Sequence, residues 1–342
     1  MTRESAGKRA ASLCALLLLS LGSPVSASSD PELRIERNAR KRTLTLQVGP
    51  VSLPANLGYG APFVPIAVGG VLDLNGWLRA FETELVDGEG RTISVNLLHH
   101  AGLLAPRERD VFNPVMRRIV AFGMETARIQ LPGQLGYRVE PGDSILLVGG
   151  FFNPTDQPFD EVYLRLHVVY ADSRHDARYE SVLPLYLDAV PSGQSTFDVP
   201  PGETRQSWDW RPVIAGRILA LGGHMHENGV SVELEDVTTG ELLFVGNAEY
   251  DDTGALIGVS RKIFARGPRI SPDHVYRVTA TYRNPANEVV TGAMGHIGGL
   301  FLPDAIANMP PADTHHPAYV ADLYANPDGS GAGHDHGGHG GH

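Results

Sequence analysis

The chain of 342 residues contains one cysteine, Cys14. Cys14 lies in an N-terminal apolar run that we interpret as part of a cleaved secretion signal, so the mature chain is expected to carry no thiol. A chain without thiols forms no disulfide bonds. The same absence excludes zinc fingers, iron–sulfur clusters, blue-copper centres and cysteine nucleophiles.

Positive charge and long apolar runs are also scarce. The 28 Lys and Arg residues against 39 Asp and Glu residues give a formal net charge of −11, and no basic cluster offsets it. Nucleic acid is therefore excluded as a partner. The longest apolar run, Leu13 to Leu21, is too short to cross a bilayer, so we expect no membrane span.

The first residues have the three parts of a secretory signal. Arg3, Lys8 and Arg9 form a basic segment, Leu13 to Leu21 an apolar segment, and Val25-Ser26-Ala27 a small-residue cleavage site. Residues 1–27 are thus predicted to be a signal peptide. The protein is expected to be exported, to a bacterial periplasm or the extracellular space.

Alternation of apolar residues with period two dominates the remaining chain. It runs through Thr43 to Val48, Val162 to Tyr170, Val230 to Leu234 and Tyr276 to Tyr282. Such alternation predicts half-buried β-strands, and glycine-containing turn signals separate them. No segment of helical period has convincing caps. The predicted fold is all-β, with two tandem antiparallel jelly-roll-like β-sandwich domains.

Composition suggests where the domains divide. A stretch rich in Pro, Gly and Ser between about Tyr186 and Gln206 predicts domains at residues 30–186 and 187–325. A weak internal repeat relates the two halves, because each contains an Asn-Pro dipeptide, Asn153-Pro154 in the first and Asn284-Pro285 in the second. Residues 326–342 are predicted to be a flexible Gly/His-rich tail, whose possible accessory metal ligands are His334, His336, His339 and His342.

Six other side chains stand at intervals that suit metal binding. His224 and His226 are spaced to point to one face of a strand, with Leu219, Leu221, Gly223 and Met225 on the opposite, core-side face. The remaining four candidates are His99, His100, His167 and Met294. Taken alone, each of these four could instead be an ordinary core or surface residue without a metal.

Local pattern says how these four could reach a metal. His99 and His100 are adjacent, so both can bind one ion only at a bulge or strand end. His167 lies on the face of its strand away from the leucines. Met294 has glycine and alanine neighbours, and its thioether suits Cu(I) as imidazole suits copper generally.

The ordered set resembles the copper type II, ascorbate-dependent monooxygenases. The resemblance runs from about Leu46 to Asp304. The motifs that carry it are Leu98-His99-His100, Leu164-Arg165-Leu166-His167, Phe197-Asp198-Val199-Pro200-Pro201-Gly202-Glu203, His224-Met225-His226 and Met294.

The resemblance implies two copper ions with different roles. His99, His100 and His167 would hold an electron-transfer copper, while His224, His226 and Met294 would hold the oxygen-activating copper. The implied activity is hydroxylation of a C–H bond with dioxygen and an external reductant such as ascorbate. The implied fold places the two coppers across an interdomain cleft.

Two departures from the family bear on the substrate. Gly222 stands where the peptide-amidating members have a carboxylate-gripping arginine, and His296 follows Met294 where they have other polar residues. The substrate, a small molecule or a peptide, therefore stays unassigned, and His296 is a possible accessory ligand or base. Two non-enzymatic alternatives also stand: a copper-binding or copper-buffering envelope protein, and a β-sandwich binding protein that has lost the chemistry.

Overall fold

The computed structural model describes residues 30–57, 64–123, 128–176, 178–194 and 196–328. The predicted signal peptide with Cys14, and the tail histidines from His334 onward, lie outside the described residues. Within the described part, no helix is both long and apolar enough to cross a membrane.

Twelve strands build the first half. They are β1 Glu32–Asn38, β2 Thr43–Leu53, β3 Val64–Val71, β4 Gly76–Asp87, β5 Thr92–Ile93, β6 Leu98–Arg109, β7 Met116–Gly123, β8 Arg128–Gln130, β9 Leu135–Val139, β10 Ser144–Phe151, β11 Phe159–Asp172 and β12 Glu180–Ser181. A 3₁₀ turn, Val95–Leu97, precedes β6. One sheet has the order β1-β2-β11-β4-β9-β12, with β5 and β8 also on β4, and the other has the order β3-β10-β6-β7.

Twelve further strands and a helix build the second half. They are β13 Leu183–Asp188, β14 Phe197–Val199, β15 Gly202–Trp210, β16 Gly216–Met225, β17 Gly229–Asp236, β18 Glu241–Tyr250, β19 Leu256–Val259, β20 Lys262–Ile263, β21 Arg269–Ile270, β22 Tyr276–Asn284, β23 Val290–Ala293, β24 Gly295–Pro303 and α1 Pro317–Asp328. The larger sheets are β13-β24-β16-β20, with β21 on β16, and β15-β22-β17-β18-β19; β14 pairs with β23. A 3₁₀ turn spans Ile306–Asn308.

The predicted fold class is confirmed: the chain is all-β, in two successive antiparallel jelly-roll-like sandwiches. Each half has its own core, formed by the inward faces of its sheets. The alternation in β2 and β11 buries every residue of the predicted apolar faces, from Leu44 to Val48 and from Val162 to Tyr170. Tyr276 to Tyr282 behaves in the same way in β22.

Bulges shift the pattern at two positions. In β17 the register slips between Gly229 and Ser231, so Val230 is 38% exposed, although alternation placed it with buried Val232. In β16 the slip falls between Ile218 and Ala220, and Ile218 replaces Leu219 on the core face. A bulge moves one residue out of the two-residue period, which sequence alternation alone cannot register.

The two halves use the same asparagine clip. The Asn153 side chain donates to the carbonyls of Leu53 (3.3 Å) and Gln157 (2.7 Å), and its oxygen accepts from the Thr155 amide (3.2 Å). Asn284 repeats all three bonds in the second half, to the carbonyls of Val199 (2.9 Å) and Glu288 (2.7 Å) and from the Ala286 amide (2.9 Å). Both asparagines are buried, and the repeated bonds agree with the predicted internal repeat.

Two segments tie the halves together. Val111 and Phe112, from the first half, are buried in the core of the second, where Phe112 meets Tyr276 edge-on at 6.0 Å between ring centroids. In return, Tyr319 of α1 packs on Leu104 of the first half. The halves are thus interlocked as well as adjacent.

The structure shifts the expected segment boundaries. Strand β13 begins at Leu183 and already pairs with β24, so the second sandwich starts before the predicted residue 187. Helix α1 is not predicted from the sequence, because no segment has convincing cap signals. It continues to Asp328 and includes the first three residues of the segment expected to be a tail.

Candidate metal centre

A β-bulge places His99 and His100 on the same face of β6. Leu98 pairs with Phe151 and His100 with Gly150, so His99 is an extra residue between two ladder positions. The two imidazole rings lie 4.1 Å apart between centroids, and both line one cavity. The bulge expected from the adjacency of the two histidines is therefore present.

His224, at the end of β16, and His226, just after it, approach His100 from the second half, and His226 lines the same cavity. The backbone N–H of His226 donates to the Tyr282 hydroxyl at 2.9 Å, and that hydroxyl donates to the Met294 carbonyl. His226 Nδ1 lies 2.8 Å from the Gly292 carbonyl, which only accepts. This bond fixes the proton on Nδ1 and leaves the lone pair on Nε2, the arrangement typical of a metal-binding histidine.

His100, His224 and His226 converge across the domain boundary. One ring nitrogen of each lies within 4.8 Å of those of the other two. Bonds of about 2.0–2.1 Å to imidazole hold the donor atoms of a shared ion less than about 4 Å apart, so side-chain movements of about an ångström would close the site. Three imidazoles form a donor set that suits copper or zinc.

The setting of His100 favours the neutral imidazole that a metal requires. Burial holds the pKa of His100 well below its usual range, and the neighbouring His99 and His224 rings lower it further. A neutral ring keeps its lone pair for a metal, whereas a protonated ring has none to offer.

The cavity has a volume of about 440 Å³ and runs along the junction of the two sandwiches. Met294 and His296 line it together with His226. Of the second predicted group, His226 and Met294 line the cavity together with His100 of the other domain, and His224 lies beside them in the histidine cluster.

His167 does not join the other predicted ligands. It lies on the outer face of β11, where Nε2 is 3.0 Å from Glu84 Oε2 and Nδ1 is 3.3 Å from Thr45 Oγ1. His100 lies on the facing sheet of the same sandwich and points away from the shared core. Packed sheets are about 10 Å apart, so outward side chains of opposite sheets do not meet. The structure therefore does not bring His99, His100 and His167 together, although it confirms that His167 faces away from the core.

A row of polar residues extends from the histidine cluster. On three neighbouring strands, Asp188 pairs with His296 and His296 with His224. His296 Nδ1 is 4.0 Å from Asp188 Oδ1, and its ring centroid is 5.7 Å from that of His224. The corresponding strands of the first half carry Thr45, His167 and Glu82 in one row. By strand order, His296 rather than Met294 is therefore the counterpart of His167.

Burial controls the charge at the far end of the row. It raises the pKa of Asp188 to about 7, while a hydrogen bond from Tyr186 and the nearby Arg118 act in the opposite direction. The Arg118 guanidinium stacks on the Tyr186 ring at 4.2 Å and forms an ion pair with Asp322 of α1. These charged groups line the same cavity.

Sequence reasoning missed Asp188, Tyr186, Arg118 and Asp322. A signal existed for the first two, because Leu183 to Asp188 alternates leucine with other residues and so puts Tyr186 and Asp188 on the face away from the core. No local pattern marks Arg118 or Asp322, whose pairing joins positions 204 residues apart.

No protein-family model matches the chain, and no curated protein sequence matches it. Among solved structures, the crystal structure of peptide-N(4)-(N-acetyl-β-D-glucosaminyl) asparagine amidase is 8% identical, covers 75% of this chain and 96% of its own, and has a TM-score of 0.37. The glycosylasparaginase PNGase F from Flavobacterium meningosepticum is 7% identical over 75% and 95%, with a TM-score of 0.37. A capsid protein of the virus PBCV-1 is 7% identical over 78% and 95%, with a TM-score of 0.34. Likeness at this level transfers no function to the chain.

Proposed function

We propose that the chain is an exported copper-dependent monooxygenase that hydroxylates a C–H bond with dioxygen and an external one-electron reductant such as ascorbate. The observation that carries the proposal is the convergence of His100, His224 and His226 beside a cavity that Met294 also lines. Export rests on the predicted signal at residues 1–27. The motif resemblance supplies the reaction type.

The proposed reaction balances with two electrons from the reductant. One atom of dioxygen enters the substrate C–H bond as a hydroxyl group, and the other leaves as water with two protons. Bound copper would supply one-electron redox chemistry toward dioxygen.

The chain's own residues would hold and shield the centre. His100, His224 and His226 would bind the ion, and the Gly292 carbonyl keeps the His226 ring oriented for it. Met294 lines the cavity beside them and offers a soft thioether. The three histidines are half-buried between the two sandwiches.

Among the described residues, one cluster of three histidines supports a proposed copper site. The second ion implied by the resemblance would need His167, which is bonded to Glu84 and Thr45 on another face. The reductant would therefore deliver both electrons to a single centre, in sequence. Two core coppers per chain would instead support the original pair of sites.

Copper binding without catalysis is the second candidate. One assembled tri-imidazole site is enough to hold copper, whereas the family chemistry implied by the motifs uses two. The Gly/His-rich tail also suits metal capture. The two candidates differ in one measurable property, which is oxygen uptake driven by a reductant.

The test uses the full chain with the four tail histidines replaced by alanine. Copper content is measured after free copper is removed, followed by ascorbate-driven oxygen uptake relative to the same concentration of free copper. We expect bound copper and oxygen uptake in the parent, and loss of both in a folded His226→Ala variant. His274→Ala is the matched control, because His274 pairs with Asp236 and does not line the cavity.

Three results would change the conclusion. Bound copper without oxygen uptake would replace the monooxygenase by the copper-binding candidate. No bound copper in the parent would overturn both. Unchanged copper content and oxygen uptake in His226→Ala would place the active metal elsewhere in the chain.

A further inference from the structure

Small and apolar residues form the floor of the cavity between the histidine cluster and Arg118. On three neighbouring strands, Gly102 pairs with Val148 on one side and with Ala121 on the other, and all three line the cavity. These residues are the floor row. Gly102 follows His100 by two residues on β6, so the floor row lies next to this proposed metal ligand on the same face of the sheet.

The floor row leaves space for a bound molecule. Ala121 is exposed between two buried residues of β7, so its methyl group faces the cavity. A β-carbon on Gly102 would lie 3.3 Å from Val148 Cγ2, so a larger residue there would crowd the row. The cavity volume of about 440 Å³ falls within the range of about 300–1,000 Å³ for small-molecule sites. Because an apolar cavity of about 150 Å³ holds one benzene, this volume suits an apolar body of about two rings.

The charged groups that line the cavity already have partners. Among the described residues, the lining contains one guanidinium, Arg118, and two carboxyl groups, Asp188 and Asp322. Arg118 forms an ion pair with Asp322 and stacks on the Tyr186 ring at 4.2 Å. Burial favours the uncharged form of Asp188. An anion would therefore meet a guanidinium that is already paired, and a cation would compete with Arg118 for the carboxyl groups.

Uncharged polar side chains line the same cavity from the chain that follows β13. They belong to Ser192, Gln194 and Thr196, which we name the polar segment. The Ser192 hydroxyl donates to the Asn113 side-chain oxygen at 2.8 Å, and this bond ties the polar segment to the first half. Hydroxyl and amide groups donate or accept hydrogen bonds without carrying a charge. The cavity thus combines an apolar floor with neutral hydrogen-bonding groups.

We propose that this cavity is the substrate site, and that the substrate is an uncharged molecule with an apolar body of about two rings and an amide or hydroxyl group at one end. The apolar body lies on the floor row, beside His100, and the polar group faces the polar segment. The role as substrate rests on the proposed function, which this inference deepens by naming the substrate class. Binding itself requires no metal and is measured separately.

The test compares three probes that share a naphthalene body and differ in charge. Naphthalene-2-carboxamide is uncharged, naphthalene-2-carboxylate is an anion, and 2-naphthylmethylammonium is a cation. Their affinities are measured by isothermal titration calorimetry on the full chain with its tail histidines replaced by alanine, in the presence of a metal chelator. Copper content is measured on separate protein, so a failure of the copper site is distinguished from a failure of this inference.

We expect the carboxamide to bind at least about ten-fold more tightly than either charged probe, because an added charge would lack a partner in the cavity. Ala121→Leu should weaken carboxamide binding by at least about ten-fold, since the leucine side chain would occupy the floor row. Benzamide, which has one ring, should lose less than about three-fold in the same variant, as expected for a narrowed cavity in a folded protein. Ala255→Leu is the matched control, because Ala255 is exposed between β18 and β19 and does not line the cavity.

Three outcomes overturn the proposal. Binding of the carboxylate or the ammonium probe as tightly as the carboxamide means that the cavity accepts a charged molecule. Unchanged carboxamide affinity in a folded Ala121→Leu variant means that the probe binds elsewhere. Binding of none of the three probes removes the cavity as a site for this class of molecule. Protein that binds the carboxamide but takes up no copper would instead contradict the proposed function and leave the assignment of the cavity in place.

Discussion

Replacement of His100 tests which histidines share a metal. The structure groups His100 with His224 and His226 of the other sandwich, whereas the motif resemblance groups it with His99 and His167. The two groupings agree that His100→Ala weakens copper binding. They disagree about His167→Ala, which leaves the structural cluster intact and removes a ligand from the motif-based one.

The size of the effect follows from linkage between binding and folding. Free copper at 100 times its dissociation constant stabilises the folded state by about 2.7 kcal/mol. For a chain of this size that corresponds to a rise in Tm of roughly 5 °C, at about 2 °C per kcal/mol. Substitution of residues that hold a metal ligand in place weakens metal binding by up to about 100-fold. If loss of a ligand weakens copper binding by that factor, copper stabilises the folded state by only roughly 0.4 kcal/mol, and the rise in Tm falls to about 1 °C.

The assay is thermal unfolding with and without copper, on protein whose tail histidines are alanine. Each variant is compared with its own metal-free form, so the intrinsic cost of a substitution cancels. We expect shifts of about 5 °C for the parent and for His167→Ala, and about 1 °C for His100→Ala. A copper shift that survives in His100→Ala, or that disappears in His167→Ala, would refute the ligand set assigned from the structure.

Three further predictions concern the framework of the site. Burial raises the pKa of Asp110, so the folded state keeps a proton on this carboxyl that the unfolded chain releases above about pH 4. The free energy of unfolding therefore contains a stabilising contribution from this proton that is fully present below about pH 4. That contribution is lost as pH rises through the pKa of Asp110 in the folded state. Urea unfolding should therefore show the stability of the parent falling relative to Asp110→Asn as pH rises from 4 toward neutrality, and a constant difference would contradict this. Phe112→Ala should lower the free energy of unfolding by about 3–5 kcal/mol in chemical denaturation, because it empties a buried aromatic site; a loss below about 1 kcal/mol would mean that the site collapses or is not packed. Asn284→Ala should cost about 3 kcal/mol, roughly 1 kcal/mol for each of three hydrogen bonds, with a similar loss for Asn153→Ala, and a cost for only one of the pair would show that the clips are not equivalent.

Sequence alternation predicted the sandwiches well because burial on one face of a strand imposes a two-residue period. Leu46, Leu166 and Val278 all lie where that period places them. The failures at Leu219 and Val230 coincide with bulges, which depend on the partner strand and leave no trace in the alternation itself.

The candidate site was only partly predictable. His224 and His226 share a face because of their spacing, and the adjacency of His99 and His100 required a bulge, which is present. That His100 reaches the pair from another domain depends on how two sandwiches pack, and packing between domains has no local sequence signature. The separation of His167 from His99 and His100 has a different cause, because alternation gives the face on which a residue lies but not the sheet that its strand joins.

The insertion of Val111 and Phe112 into the second core has a consequence for biosynthesis. Both residues are made before any strand of the sandwich that buries them, so a nascent first half presents an apolar pair to its surroundings. Transiently exposed apolar surface promotes aggregation and recruits chaperones. The apolar side chains of Val111 and Phe112 are therefore buried only after the second half has been synthesised and has folded around them. Residues 30–182 expressed alone should therefore depend on chaperones in a way that the whole chain does not.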